Sequence, residues 1–403
     1  MKRRHKDFLL NMISVVSSLI SVTVLCLIIT YLFNNGSSSI DHHLLFGDYY
    51  PKSSNAEVCK DYEQLAMNDY QGEGYYSKKW GIAFKDIESK HKEKEISVVY
   101  VDENSPFNHL KSLVAGEDGA SKFMKDGDLI QNIYYIDSLG ETIFLPKARM
   151  QNAENLRDLL ENEAKEIVSC GYQTIGGGIR GSIIVTLYLI AIALLIALPI
   201  GISSAIYLHE YASKNYFTSL IRQGINLLTG VPSVVYGLMG VTVLFPITQL
   251  FGATSTSVLL GSLTLAIILL PTIISATEEA LAVIPQGLKD ASLSLGATKS
   301  QTIFKVVLPA AIHGILTATL LSIGRIIGES AALVYTTSTV INDHPHILNQ
   351  GASLALTIWT IMAGEQPNYE LASAISLIIL IIVFAINIIV KNASKKLAKR
   401  YIG

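Results

Sequence analysis

Long apolar runs constrain this chain more than any other feature of its sequence. Half of its 403 residues are hydrophobic and only 16% are charged, a balance that excludes a soluble globular protein. A helix needs about 20 apolar residues to cross a hydrocarbon core of roughly 30 Å. The sequence therefore predicts an all-α polytopic membrane protein with six transmembrane helices, at about 9–33, 181–208, 224–250, 257–277, 311–338 and 371–390.

Basic residues at the two ends predict the topology. An even number of spans puts both termini on one side, and the excess of Lys and Arg there assigns that side to the cytoplasm. The first run is long for a signal peptide, so we interpret it as a retained anchor in a cytoplasmic (inner) membrane. The predicted parts are 1–34, a basic start with helix 1; 35–177, an extracytoplasmic insertion; 178–393, a transmembrane core with a cytoplasmic loop at 279–310; and 394–403, a basic cytoplasmic tail.

The polar insertion is long enough to form a domain of its own. It holds 24 acidic against 15 basic residues from Asn35 to Gln173, a net charge of −9. Alternating apolar residues predict strands at 96–101, 129–136 and 142–145, the last two as a hairpin, and a helical pattern covers 152–169. We therefore expect an α+β fold. Cys59 and Cys170 could form a disulfide in an oxidising compartment, or remain two thiols.

Two charges stand inside the fifth apolar run. Arg325 and Glu329 are spaced i, i+4, which would put them on one face of a helix. Charges in membrane helices are costly and tend to face a cavity or a partner. A guanidinium offers planar donors suited to a phosphate, and Glu329 could orient it, balance its charge or accept a proton. The alternative is an intrahelical salt bridge without a transport role.

The third apolar run contains a helix-breaking segment, Thr229 to Gly240. Pro232 lacks a backbone donor, and three glycines permit a bend or close packing. A broken helix can present hydroxyl and backbone donors to a solute, which makes Thr229 and Ser233 candidates for lining a path. Helix packing alone is the competing interpretation.

The cytoplasmic loop predicts a docking element. Two segments, at about 278–295 and 299–307, look helical but are too polar to insert, and Gly296 can supply the positive φ that separates them. No G-x4-G-K-[ST] motif occurs in the sequence, so ATP would have to be bound by another chain. The histidines and cysteines show no metal-ligand spacing.

Several motifs resemble those of ABC-importer permeases. Residues 290–309, D-A-S-L-S-L-G-A-T-K-S-Q-T-I-F-K-V-V-L-P, are similar to the E-A-A-x3-G-x9-I-x-L-P loop of that family, although Asp290 and Ser292 replace its Glu and second Ala. G-R-I-I-G-E-S at 324–330 and G-V-P-S-V-V-Y-G-L at 230–238 resemble the PstA-type phosphate permeases.

The resemblance implies the fold of a type I ABC importer permease and a membrane subunit without catalytic activity or a cofactor of its own. The implied partners are a homologous permease of the PstC type, an ATPase dimer that uses ATP and Mg, and an extracytoplasmic phosphate-binding protein, with phosphate as substrate and no nucleic acid. The residues it assigns to ATPase coupling are Asp290, Ala291, Gly296, Ala297, Leu308 and Pro309. A permease for another oxyanion, such as molybdate or sulfate, is the main alternative; a signalling receptor fits less well, because four more spans follow the two that flank the insertion.

Overall fold

The computed structural model describes residues 2–59, 68–88, 94–113, 120–174, 176–213, 215–364 and 367–402, with side chains from 11 to 392. The chain forms two compact units. One contains Met1–Tyr49 together with Ile179–Gly403, and the other contains Tyr50–Gly178.

Helices build the first unit and strands build most of the second. The helices are α1 Lys2–Gly36, α2 His42–Phe46, α3 Ala153–Asn162, α4 Arg180–Ile206, α5 Tyr216–Thr229, α6 Ser233–Met239, α7 Phe245–Gln249, α8 Val258–Ala282, α9 Gln286–Ser294, α10 Lys299–Thr302, α11 Leu308–Gly328, α12 Ala331–Thr336, α13 Leu354–Ala363 and α14 Tyr369–Ile402. Wider π turns join some of them, at Tyr207–Tyr211, Gly240–Leu244 and Ile303–Val307. Short 3-10 turns lie at Ser37–Ser39, Pro106–Asn108 and Lys147–Arg149.

The described residues contain five helices that are long and apolar enough to cross a membrane, or six if one bent pair counts as a single span. The bent pair is α5 with the segment Ser233–Gln249, at an angle of 102°. The span predicted at 224–250 thus corresponds to a bent pair that begins earlier, at Tyr216, and the break predicted from Pro232 is confirmed. Proline provides no N–H to continue the helix, and Gly230 ends α5 just before it.

The fifth predicted span is also shorter than expected. Helix α11 ends at Gly328, and Glu329 has extended backbone angles, φ −76° and ψ 123°. The Glu329 carboxylate accepts the N–H of Ala332 at 3.2 Å, which supplies a partner for an unpaired donor at the start of α12. A local carboxylate-to-backbone bond thus divides the apolar run at 311–338 into two helices.

Close packing of α4 on α8 forms the core of the helical unit. Val185, Leu189 and Ala193 of α4 belong to one buried cluster with Leu265, Leu269 and Ile273 of α8. Gly201 lets the helices approach closely, because a Cβ there would lie 2.6 Å from the Ile273 side chain. Small residues at such contacts are typical of membrane helices, where packing replaces the hydrophobic effect as the source of association.

The second unit is an antiparallel sheet covered by one helix. Its strands follow the order β2-β3-β4-β7-β9-β1-β5-β6, with β8 paired to β7. The strand bounds are β1 Ser53–Val58, β2 Tyr75–Ser77, β3 Ile82–Glu88, β4 Lys94–Val101, β5 Leu110–Ser112, β6 Ser121–Lys122, β7 Leu129–Ile136, β8 Thr142–Pro146 and β9 Glu166–Gln173. The predicted hairpin at 129–145 is confirmed as β7 and β8. Leu156 and Leu160 of α3 are fully buried in the same core as Ile133 and Phe84 of the sheet.

The helix predicted over 152–169 is only half correct. Asn152 caps α3 by accepting the N–H of Asn155, and the helix ends at Asn162. The following residues form β9, which pairs with β7 on one side and β1 on the other. Backbone pairing on both edges outweighs the local helical pattern of Ile167 and its neighbours.

The cysteines of this unit are free thiols in the structure. The sheet register places Ala56, not Cys59, opposite Cys170. Three residues of strand correspond to about 10 Å, which exceeds the Cα separation that a disulfide allows. Of the two alternatives that the sequence left open, the geometry therefore favours two thiols.

We expect the two thiols to react very differently with a maleimide at neutral pH. Burial, followed by the charge of Asp128, raises the pKa of the Cys170 thiol to about 12, whereas Cys59 is half-buried. In single-thiol variants on a Cys26→Ser background, native Cys170 should label at least about a hundredfold more slowly than Cys59 and react freely after denaturation. Equal native rates, or labelling of both thiols in the parent only after reduction, would contradict this.

Candidate functional site

Arg325 is anchored to a neighbouring helix. It lies half-buried in the last turn of α11, and its Nη1 donates a hydrogen bond to Oγ1 of Thr272 on α8, at 3.1 Å. Thr272 follows Pro271, the proline inside α8. The bond fixes the direction of the guanidinium while leaving most of its donors for other acceptors. Sequence reasoning missed Thr272, because a threonine in a span is common and only the packing of α8 on α11 reveals its partner.

The predicted pairing of Arg325 with Glu329 is wrong. Since α11 ends at Gly328, Glu329 does not continue its face, and its carboxylate is used at the start of α12. Among the described ion pairs within 4.0 Å, none involves Arg325. The guanidinium charge in this apolar bundle is thus not neutralised by a carboxylate of the described chain, which favours association with an anion.

A tyrosine side chain bridges the break between α5 and α6. The Tyr236 hydroxyl donates to the Leu228 carbonyl at 2.8 Å, and its ring is buried in the α4–α8 cluster. Sequence reasoning did not identify this bond, which replaces backbone pairing lost at Pro232.

Two hydroxyl side chains proposed for the path flank this break. Thr229 is exposed and donates to the Ile225 carbonyl of its own helix at 3.2 Å, while Ser233 opens α6 and is half-buried. Within the described part of the chain, no hydrogen bond joins either hydroxyl to Arg325 or Glu329. Their part in lining a path stays a prediction.

The broken helix packs closely on α12 at Gly237 of α6 and on α8 at Gly240, the first residue of the π turn that follows α6. A Cβ on Gly237 would lie 2.8 Å from the carbonyl oxygen of Ala332, and one on Gly240 would lie 2.3 Å from the Thr264 hydroxyl on α8. These contacts place the broken helix against the segment that follows Glu329. The residues predicted from two separate motifs therefore belong to adjoining helices.

The loop at 290–309 forms a compact helical turn. Helix α9 ends in a Schellman motif, in which the N–H of Ala297 bonds to Ser292 O and that of Gly296 to Leu293 O. Gly296 has φ +86°, so the predicted positive φ is confirmed. Thr298 and Gln301 then form a capping box that starts α10, and the Ser292 hydroxyl lies 2.9 Å from that of Thr302.

The outer face of this turn is exposed. Asp290, Ala291 and Gly296 are exposed, while Ala297, Leu308 and Pro309 are half-buried, the last two at the start of α11. Together with exposed apolar side chains such as Leu295 and Phe304, they form a surface suited to docking a partner.

The helix boundaries here differ from those predicted. The expected helix at 278–295 is two helices, because α8 continues to Ala282 and α9 begins after Pro285. The expected helix at 299–307 runs through a π turn directly into α11. The turn therefore continues without a break into α11, and a short non-helical link at 283–285 joins it to α8.

Metal chemistry finds no support in the described residues, which contain no group of three or more His, Cys, Asp or Glu side chains placed to hold an ion.

The comparisons with known sequences agree on one family. The model of the family described as "Binding-protein-dependent transport system inner membrane component" matches residues 197–403. The chain is 33% identical over 228 residues to the "Probable ABC transporter permease protein YqgI" of Bacillus subtilis (strain 168), covering 53% of this chain and 76% of that protein. It is 32% identical over 219 residues to the "Phosphate transport system permease protein PstA" of Yersinia pestis, covering 54% of this chain and 72% of that protein.

Among solved structures, the chain aligns with an inward-facing MetNI methionine ABC transporter at 21% identity and a TM-score of 0.44, covering 54% of this chain and 94% of that one. The insertion at 50–178 lies outside the family match.

We expect Gly237→Ala to destabilise the helical unit. Its methyl group would meet the Ala332 backbone at 2.8 Å and force α6 away from α12, at a cost of about 1–3 kcal/mol. Gly224→Ala is the matched control, since nothing lies within 4 Å of a Cβ there and alanine favours the helix. Thermal unfolding of the detergent-solubilised chain would measure both. Equal midpoints for the two variants would contradict the close approach.

Proposed function

Because this chain belongs to the family of binding-protein-dependent transport system inner membrane components, the permease subunits of ABC importers, we propose that it forms half of the translocation path of an inorganic phosphate importer. The relatives named as phosphate permeases support this substrate, and the anchored, un-neutralised Arg325 carries the proposal.

The chemistry of Arg325 suits phosphate. The anion carries one to two negative charges near neutral pH, and a dry path must replace its hydration with donors. The guanidinium presents several N–H groups in a planar fork, of which one is used by Thr272. A fixed cation at this point would attract the anion into the bundle.

Glu329 has a different part in this proposal from the one its spacing predicts. Thr272, not Glu329, orients the guanidinium, and Glu329 fixes the junction between α11 and α12. Thr229 and Ser233 would add hydroxyl donors at the break of α5 and α6.

The Asp290–Pro309 turn is proposed as the cytoplasmic docking element for a separate ATPase dimer, which would bind the ATP and Mg. Its outward residues, Asp290, Ala291 and Gly296, would contact the ATPase, while Leu308 and Pro309 pass movement directly into α11 and Arg325. A homologous permease of the PstC type would complete the path, and an external phosphate-binding protein would deliver the anion. The chain itself would make or break no covalent bond.

The acidic insertion is proposed as a docking platform for that binding protein, not as a receptor for the anion. A domain of net charge −9 repels anions at long range but attracts a protein with a basic face. Its autonomous core makes it separable from the transmembrane core.

We expect Arg325→Gln to reduce ATP-dependent uptake of radiolabelled phosphate by about 100-fold or more, because the variant loses a charged hydrogen bond to the anion. Thr272→Val should reduce uptake less, by about tenfold, and Thr272→Ser should restore it, since serine keeps the acceptor for Arg325. Uptake would be measured in vesicles that contain the complete complex, with arsenate, sulfate and molybdate as competitors.

Copurification of the ATPase serves as the control for assembly, and Lys391→Gln, at an exposed lysine of α14 outside the docking turn, serves as the matched loss of a charge. Competition by arsenate alone agrees with phosphate. Competition by sulfate or molybdate would assign the permease to another oxyanion, and full uptake by Arg325→Gln would leave Arg325 a structural role only.

Replacing residues 50–178 by a short flexible linker should impair uptake that depends on the binding protein, and raising the ionic strength should impair the parent in the same way, since screening weakens charge attraction. The same uptake assay, run across binding-protein concentrations, would show a higher half-saturating concentration with an unchanged maximum. An unchanged concentration dependence would contradict the docking role.

A further inference from the structure

A buried ion pair connects the docking turn to the rest of the helical unit. Lys289 is the one residue of α9 that is buried, and its Nζ lies 2.5 Å from Oε1 of Glu210. The two side chains are only 11% and 9% exposed. Glu210 belongs to the π turn Tyr207–Tyr211, which ends α4. The pair therefore joins the docking helix to the end of a core transmembrane helix.

A second ion pair holds the same turn. Arg222 of α5 donates through Nη2 to the Leu208 carbonyl at 2.7 Å and to Oε1 of Glu278 at 3.1 Å. Leu208 lies two residues before Glu210 in the π turn, and Glu278 lies near the end of α8. His209 on this turn also has its Nε2 3.7 Å from Glu210 Oε1.

These contacts are continuous with the anchor of Arg325. Glu278 is on α8 with Thr272, which accepts the hydrogen bond from Arg325. The order of contacts is thus Lys289 of α9, Glu210 and Leu208 after α4, Arg222 of α5, Glu278 and Thr272 of α8, and Arg325 of α11. Each step is a direct polar contact or a rigid helix.

Burial makes the first step an all-or-none contact. A Lys–Glu pair largely withdrawn from water is stable only while both partners stay together, because separation leaves two poorly hydrated charges without their direct partner. Helix α9 and the end of α4 must then move as one body. An exposed pair, screened by water, would not impose this condition.

From this arrangement we infer that the Lys289–Glu210 pair is the positioning contact through which movement of the docking turn reaches α4 and α5, so that they move together with α8 and α11, which the turn joins through the backbone and which hold the Arg325 site. The inference rests on the proposed function, since it assumes that an ATPase moves the turn. Neither residue touches the anion or the ATP, so the pair transmits movement without taking part in binding.

Substitution of either partner should uncouple the complex without dissociating it. We expect Glu210→Gln and Lys289→Met each to reduce the stimulation of ATP hydrolysis by the loaded binding protein by about tenfold, while the ATPase still copurifies. The charge swap Glu210→Lys with Lys289→Glu should recover at least half of the stimulation, because the ion pair is rebuilt in reverse. Glu279→Gln, an exposed carboxylate beside Glu278, is the matched control and should behave as the parent.

The test separates a coupling role from a structural one through the charge swap and copurification. Parent-like stimulation in both single variants would overturn the inference, as would a charge swap no better than the singles in complexes that remain assembled. Stimulation of ATP hydrolysis can be measured whichever anion the complex carries. If a binding protein loaded with another oxyanion stimulates the parent complex, the proposed substrate is contradicted, but the test of the ion pair stays valid.

Discussion

A positive charge fixed inside an apolar helical bundle is the constraint on which the rest of this structure depends. Arg325 is held by Thr272, and the described chain supplies no carboxylate to neutralise it. Such a charge is unfavourable in a membrane unless water, a partner or a solute compensates it. The α5–α6 and α11–α12 segments are each interrupted, the second just after Arg325, and Gly237 lets the two interrupted segments pack closely together. An anion is the simplest group that would compensate the charge of Arg325, and this agrees with the proposed transport of phosphate.

The second requirement of a transporter is that a distant event changes this site. The docking turn is rigid in itself, because a Schellman motif, a capping box and a Ser292–Thr302 contact fix its shape. It meets the membrane helices through continuous backbone at both ends and through one buried ion pair. Rigid connection at several points favours movement of whole helices over local bending, and helix shifts of this kind are a common way for a protein to switch states.

The sequence predicted those features that depend on local chemistry. Apolar length gave the membrane helices, Pro232 gave the break after α5, and Gly296 gave the left-handed turn, because each is a property of one residue or one run. Features that depend on tertiary contacts were missed. Spacing put Glu329 on the face of Arg325, yet a carboxylate-to-backbone bond ends the helix one residue earlier. The sequence did not indicate three contacts: Arg325 with Thr272, Tyr236 with Leu228, and Lys289 with Glu210. Their partners lie 53, 8 and 79 residues apart along the chain.

The most direct test of the central claim is the accessibility of position 325 itself. In a cysteine-free complex carrying Arg325→Cys, modification with a positively charged methanethiosulfonate should restore part of the lost phosphate uptake, while a negatively charged reagent of similar size should not. That result requires both a solvent-reachable path and a cation at this point. Failure of both reagents to modify the cysteine, with the complex assembled, would show that residue 325 is sealed within the bundle and would contradict the account.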